Sequence, residues 1–313
     1  MTRNRPVMLQ NLLASYAAMH IPDDVHLHFL IVENNEEATL RDIVELFRSQ
    51  VPDLSVQYEL EPRLGIAFAR NRALEFALDG NHDLMTFADD DEQVEPDWLV
   101  ELLAERDRGD LDMVASPVRC APVASNVSFA ARLVWAGLNC RNRKSEYKAT
   151  RKRQNNEANR ILLATGSWMG KLDFFRRTDL RFDNALGMAG GEDWRLCRHA
   201  WALGAKTGWT PLAVAYETVP LERLTFRYHF RRDRDNSAVE ICAKLANCRM
   251  TTLLRLPGSI AGRVLKLCSY AIAAPFTRGE ALIRVAACMG SITGICQGCF
   301  GKTSSHYRQT TGS

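Results

Sequence analysis

Four consecutive acids, Asp89-Asp90-Asp91-Glu92, follow the apolar run Leu84-Met85-Thr86-Phe87-Ala88. Val94-Glu95-Pro96-Asp97-Trp98-Leu99 comes next and opens a helical pattern. Carboxylates clustered this closely repel one another and lose solvation when buried, so they need a cation or water. An all-oxygen donor set suits Mg2+ or Mn2+, and either ion in turn binds phosphates. A short apolar strand ending in acids sets negative charge at the carboxyl edge of a sheet, where open α/β sheets bind ligands. The competing reading is a solvated acidic turn that caps the next helix. A second acidic pair, Glu192-Asp193, starts a helical pattern after residues 187–191, which read as a flexible glycine loop. That pair also has a plain alternative, because acids are favoured in the first turn of any helix.

The elements around these acids alternate. Residues 6–19 are a helical pattern with Met8, Leu12, Leu13, Tyr16 and Ala17 on one face, and Pro6 lies near its first turn. Residues 25–33 read as a strand whose continuous apolar half suits burial on both faces of a parallel sheet. Asn34-Asn35 turns into a helix over 40–47, and a weaker strand covers 54–60. A strong helix over 65–78 is stopped by Asp79-Gly80-Asn81, and the acid-ended strand at 84–88 follows. A helix at 98–106, a strand at 111–116, a helix at 192–203 and a last strand at 207–216 complete the series. This alternation predicts βαβ units and a mostly parallel sheet with helices on both faces. Residues 120–159 are polar and basic and read as an irregular insertion.

Beyond Pro220 the chain turns basic, with Arg223, Arg227, Arg231, Arg232 and Arg234, and then amphipathic. Two apolar stretches, 260–276 and 281–295, are each shorter than the ~20 residues a span needs, and Arg263, Lys266 and Arg284 interrupt them. They read as interfacial or core-packing helices. The expected division is therefore 1–220 for the α/β domain and 221–313 for a helical C-terminal appendage. A net charge of +3 over 313 residues is too small to argue for a nucleic-acid partner. The nine cysteines are scattered, and Cys296-Gln297-Gly298-Cys299 is a lone pair without zinc spacing, so reduced cytosolic thiols are expected. The first six residues carry no apolar signal core.

In this order the motifs resemble the family 2 glycosyltransferases of the GT-A, Rossmann-like fold, and within them bacterial exopolysaccharide enzymes of the succinoglycan glucosyltransferase type. The resemblance runs from Thr2 to about Arg232. Thr2-Arg3-Asn4-Arg5-Pro6 resembles the loop after that family's first strand, and Val32-Glu33-Asn34-Asn35 its base-binding turn. Residues 64–71, ending Ala69-Arg70-Asn71, resemble its G-x-x-x-A-R-N helix, and 87–92 its D-x-D metal site. Gly190-Gly191-Glu192-Asp193 resembles its catalytic acids, and 216–223 the segment closing the site. Three departures stand out. The family's first strand normally lies ahead of Thr2 and has no counterpart here. Glu33 stands where the family often has Asp. The Q-x-x-R-W signature of processive synthases is missing, which favours adding one sugar per acceptor.

The resemblance implies a nucleotide-sugar donor, UDP-linked, and a metal, Mg2+ or Mn2+, held by Asp91 with Asp89. It implies that Glu33, Arg70, Asp89, Asp90 and Arg223 bind the donor. It places Asp193, with Glu192 beside it, as the general base in a single inverting displacement. The acceptor would be a saccharide or lipid-linked saccharide at the cytoplasmic membrane face, with a peripheral membrane contact. Bland alternatives stand beside the functional ones: Arg70 as a surface charge, Trp194 as packing rather than sugar stacking, and His229 as an exposed side chain rather than a metal ligand. A catalytically inactive nucleotide- or glycan-binding relative is the competing function, against which the intact acids argue. A nucleotidyltransferase would want a glycine-rich phosphate loop near the N-terminus, and none is present.

Overall fold

The computed structural model describes residues 1–163, 166–186 and 191–301. They divide into two compact units. The first comprises Met1–Arg119 and Ser145–Thr218, and the second Cys120–Lys144 with the described residues from Val219.

The first unit begins α1 (Pro6–Ala17), β1 (His28–Glu33), α2 (Arg41–Gln50), β2 (Ser55–Leu60), α3 (Ile66–Asp79) and β3 (Leu84–Ala88). It continues through β4 (Glu92–Val94), α4 (Trp98–Gly109), β5 (Met113–Ala115) and β6 (Val118–Cys120). After α5 (Phe129–Gln154) come β7 (Ser167–Lys171), α6 (Leu172–Thr178), α7 (Glu192–Ala202), β8 (Thr207–Trp209) and β9 (Ala215–Glu217). The unit division falls within α5.

β1 and β2 pair in parallel from His28↔Ser55 to Glu33↔Leu60. A second sheet has the order β3-β7-β5-β8 and a third β4-β9-β6. β5 and β8 run parallel, whereas β7 is antiparallel to both β3 and β5. Side chains leave each strand alternately to two cores, as the two-residue period requires. Met85 and Phe87 join Leu74, Trp168, Phe175 and Phe182 on one side. Leu84 and Ala88 join Leu12, Phe29, Phe47 and Trp98 on the other.

Two expectations need correction. The basic stretch read as an irregular insertion contains α5, a helix of 26 residues. Ala, Arg, Lys and Glu are good helix formers, and Ala131, Val134 and Leu138 bury at helical spacing. The last strand is two short ones, β8 and β9, with Pro211 between them. Proline cannot donate to a ladder and divides them.

The second unit carries α8 (Phe226–Asn247), α9 (Arg249–Ala273) and α10 (Glu280–Cys299). The apolar stretches of the sequence lie inside α9 and α10. Thr225 caps α8 by accepting from the Tyr228 N–H at 3.1 Å. α10 meets α8 through Gly290, Gly294 and Gly298, which share one face at four-residue spacing. A Cβ on them would collide with the Phe230 carbonyl, the Arg234 carbonyl and Ile241 respectively. Among the described residues α10 alone is long and apolar enough to cross a membrane. All nine cysteines are free thiols.

Candidate active site

β3 delivers its acids into a tight turn. The Glu92 N–H donates to the Asp89 carbonyl and the Asp89 N–H donates to Glu92 Oε2, each at 3.0 Å. Glu92 then pairs with Glu217 of β9, and the Thr218 N–H donates to the Asp91 carbonyl at 2.6 Å. The segment 216–218 is thereby stitched to the acidic turn. Asp90, Asp91 and Glu92 are buried, while Asp89 keeps a third of its side chain exposed. Burial, and then the charges of Asp89, Glu217 and Asp90, push the Asp91 carboxyl up to about 7, against the opposing pull of Arg5. Burial and the neighbouring Asp89 and Asp91 hold Glu92 well above the usual carboxylate range.

Two arginines answer this charge. Arg5, in the turn before α1, donates through Nη1 to Asp90 at 2.9 Å and Asp91 at 3.1 Å. Arg70 rises from the first turns of α3 and is 2% exposed. One of its nitrogens donates to Asp89 at 3.1 Å and another bonds Glu192, at the start of α7. The alternative of a surface charge at Arg70 is thus replaced by a buried cation shared between two acids. Its neighbour Asn71 donates to the Phe182 carbonyl at 2.8 Å and accepts from the Phe182 N–H at 2.9 Å. The A-R-N segment therefore ties α3 both to the acids and to the chain that leads into α7.

α7 starts directly after Gly191, whose φ of +87° lies in the left-handed region that glycine adopts without strain. Residues 187–190, part of the loop expected to be flexible, lie outside the described residues. Glu192 is buried, with one carboxylate oxygen on Arg70 and the other without a partner. Asp193 is half-buried, and its Oδ1 accepts from the Trp194 N–H at 2.6 Å. Trp194 itself is 47% exposed, with the Arg198 guanidinium 5.0 Å from its ring centre.

Glu33 is wholly buried at the end of β1. It accepts from the Thr39 N–H at 2.9 Å, the Thr39 hydroxyl at 2.5 Å and the Tyr58 hydroxyl. These donors hold its carboxyl below the usual range although burial opposes them. Asn34 accepts from the Gly65 N–H at 2.8 Å and donates to the carbonyls of Glu61 and Arg63. The turn after β1 thus fixes the entry to α3. Arg223 lies in the second unit, at the end of a single helical turn, Leu221–Arg223. His229, expected to be exposed, is 4% exposed on α8.

The structure brings together Asp89, Asp90, Asp91, Arg70 and Glu192 from distant sequence positions. The sequence did not single out Arg5 as a site residue. The signal there is the segment Thr2-Arg3-Asn4-Arg5-Pro6, which resembles a family loop as a whole without marking Arg5 within it. Among the described residues no group of three or more His, Cys, Asp or Glu side chains is spaced to hold a metal ion.

A family model described as "Glycosyl transferase family 2" matches residues 1–178, more than half the chain. The chain belongs to glycosyl transferase family 2. This glycosyltransferase is 29% identical over 239 residues to the succinoglycan biosynthesis protein ExoM of Rhizobium meliloti (strain 1021). That match covers 74% of the chain and 69% of ExoM. Among solved structures it resembles the mannosyltransferase PcManGT from Pyrobaculum calidifontis, solved in complex with GDP-Man and Mn2+. The TM-score is 0.57 at 16% identity, over 96% of this chain and 86% of that one. It also resembles TarS of S. aureus, with a TM-score of 0.50 at 18% identity over 77% of the chain. The glycosyltransferase spans 38% of that TarS chain. These likenesses identify the fold as GT-A, carrying a helical C-terminal region.

Proposed function

We propose that the protein is an inverting, metal-dependent glycosyltransferase. It moves one sugar from a nucleotide-sugar donor, UDP-linked, to a saccharide or lipid-linked saccharide in the building of a surface polysaccharide. The observation that carries this reading is the buried bridge from Asp89 through Arg70 to Glu192. It couples the acids at the end of β3 to the start of α7, 103 positions further along the chain from Asp89.

The acidic turn suits a divalent ion. Its donors are hard oxygens, and Asp89, Asp90, Asp91 and Glu92 stand together in one turn, three of them buried. Asp91 and Asp89 would hold Mg2+ or Mn2+, which when bound supplies a Lewis acid beside the donor diphosphate. The chain's own residues do the rest. Asp193 takes the proton of the acceptor hydroxyl as that oxygen attacks the anomeric carbon. The bond from that carbon to the diphosphate breaks on the opposite face, its electron pair leaves with the nucleoside diphosphate, and configuration inverts. Arg70 fixes Glu192, and with it the first turn of α7 that presents Asp193. Asp90 and Arg223 contribute to donor binding. Glu33 shapes the base-binding turn through Thr39 and Tyr58. The name of ExoM supports an exopolysaccharide product. α9 exposes Leu254, Leu265 and Ile272 beside Arg255, Arg263 and Lys266, which supports contact with an anionic membrane, at its cytoplasmic face.

The test is calorimetric binding of UDP and other nucleoside diphosphates with and without Mn2+, paired with UDP release from UDP-sugars. Metal-dependent, uridine-selective binding is expected. Asp193→Asn should keep that binding and lose turnover about 10²-fold or more. Asp91→Asn should remove the Mn2+ dependence. Full turnover by Asp193→Asn would take the base role away from Asp193. Binding indifferent to both metal and base would overturn the donor assignment.

A further inference from the structure

The second unit holds a cavity of about 210 Å3 that the transfer reaction leaves unused. Three helices each turn one face to it. α8 gives His229, Arg232 and Asp233, which share a face at three- to four-residue spacing. α5 gives Arg141, and α10 gives Glu280 and Arg284. α5 and the start of α10 approach closely because of Gly137, where a Cβ would meet the backbone of Gly279 and Glu280. Arg232 belongs to the basic run of α8, and nothing in the proposed reaction uses it.

The charges of the cavity favour an anion. Glu280 is already answered, since Lys144 bonds one of its oxygens and Arg284 donates to the other at 2.8 Å. Arg141 and Arg232 are exposed at the rim, and the charges of both act on His229 and on Asp233. Asp233 stands against them, and burial holds its carboxyl above the usual range. A cation is repelled from such a rim and an anion is drawn to it. Guanidinium forks match the oxygens of phosphate and carboxylate alike, so arginine alone does not choose between those two.

His229 makes the choice. It is 4% exposed, and one ring nitrogen donates to the Arg223 carbonyl. The other, Nε2, has no partner among the described residues. Burial, and then the charges of Arg232 and Arg141, keep the imidazole neutral at pH 7. Nε2 is then a bare acceptor, which buried polar atoms in native proteins seldom are. It calls for a donor. Carboxylates and sulfate arrive at pH 7 with acceptors only. A phosphate monoester holds its last proton with a pKa of about 6, close enough to pH 7 for the protonated form to bind. We propose that this cavity is a binding site for a phosphate monoester, whose hydroxyl donates to His229 Nε2 while its other oxygens accept from Arg232 and Arg141. The volume lies below the ~300 Å3 at which sites for larger ligands begin, so the ligand enters by its phosphate. An adjoining cleft shares Asp233 and Arg284 with the cavity and adds Arg263 and Lys266 of α9. A lipid headgroup and a soluble monoester both present this chemistry.

The test is calorimetry of inorganic phosphate and of sulfate on the full chain at pH 7, with EDTA so that no metal recruits either anion to the acidic turn. Phosphate should bind at least tenfold more tightly than sulfate. Arg232→Gln should weaken phosphate at least tenfold. His229→Asn, which keeps a donor near the Arg223 carbonyl, should erase the preference for phosphate. Arg232 is exposed, so its variant reads the site even where the histidine variant does not fold. The nitrogen resonance of His229 Nε2 in the isotope-labelled chain should also move with phosphate and stay with sulfate. Flotation separates the sources, comparing vesicles of phosphatidic acid, a monoester, with phosphatidylglycerol vesicles of equal surface charge. A preference for phosphatidic acid that Arg232→Gln removes assigns the site to a lipid headgroup. Equal flotation, with phosphate still bound, assigns it to a soluble monoester. Equal affinity for phosphate and sulfate, or phosphate binding that ignores both Arg232 and His229, would overturn the proposal. The readout needs no turnover, so it stands or falls apart from the transferase assignment.

Discussion

Arg70 is the residue on which the charges of the site depend. It is buried, it bonds Glu192 and Asp89, and its Nε has no partner. Removing one member of a buried charge set leaves the others uncompensated, at a cost of about 3–5 kcal/mol. Arg70→Gln should therefore lower the free energy of unfolding by that amount in urea titrations. Arg70→Lys should recover only part, since an ammonium is a point charge and cannot present the guanidinium's fork to two acids. His229 gives a pH prediction. Burial, and then Arg232 and Arg141, push its imidazole down to about 4, while its bond to the Arg223 carbonyl opposes them. Its ordinary value is higher, so the unfolded chain binds the proton more readily than the folded one. The stability this histidine contributes is whole above pH 6.5 and is lost as pH falls toward 4. Thermal melts at pH 7 and pH 5 should differ, and His229→Leu should narrow that difference.

At the scale of elements, the contact of α10 with α8 depends on what is missing from three glycines. Gly294 has the Arg234 backbone where a Cβ would go, whereas Gly262 on α9 has nothing within 4 Å of that position. The same substitution should then act with opposite signs. Gly294→Ala should destabilise by about 1–3 kcal/mol through overpacking. Gly262→Ala should stabilise by about 0.5–1 kcal/mol, because alanine is the better helix former. Paired thermal melts of the two variants decide this. A matching rise in both would mean that α8 and α10 are not packed through that face. The strands follow a similar logic. β7 runs antiparallel between β3 and β5 although the alternating sequence reads as parallel, because strand direction is set by where the chain returns, not by local composition.

At the scale of the whole molecule, a net charge of +3 hides strong segregation. Acids gather at the end of β3, and arginines gather along α8. On α9, Leu254 is 74% exposed, Leu265 72% and Ile272 75%, on a helix that buries none of its residues. Exposed apolar area next to basic residues favours an anionic interface. The protein should co-float with vesicles containing anionic lipid and not with purely zwitterionic ones. High salt should weaken the binding, and Leu254→Asp with Leu265→Asp should abolish it. Flotation that ignores both lipid charge and these two residues would remove α9 from the contact.

The sequence by itself determined the order of the longer strands and helices in the first 120 residues, though not the short β4 and β6, and it marked the acids at 89–92, the helical start at Glu192 and the family. Those features are local: a two- or 3.6-residue period, a run of like charges, a glycine before a helix. Only the tertiary structure decided that Arg5 reaches Asp90 across 85 positions, and Arg70 reaches Glu192 across 122. It alone decided that Glu33 is saturated by Thr39 and Tyr58. Long-range partners depend on how strands register and which faces they bury, and no residue's neighbours in sequence carry that information. The 26-residue α5 was illegible for a related reason: its polar composition suits solvent as well as helix, and the few side chains that bury, such as Val134 and Leu138, settle the matter only by packing.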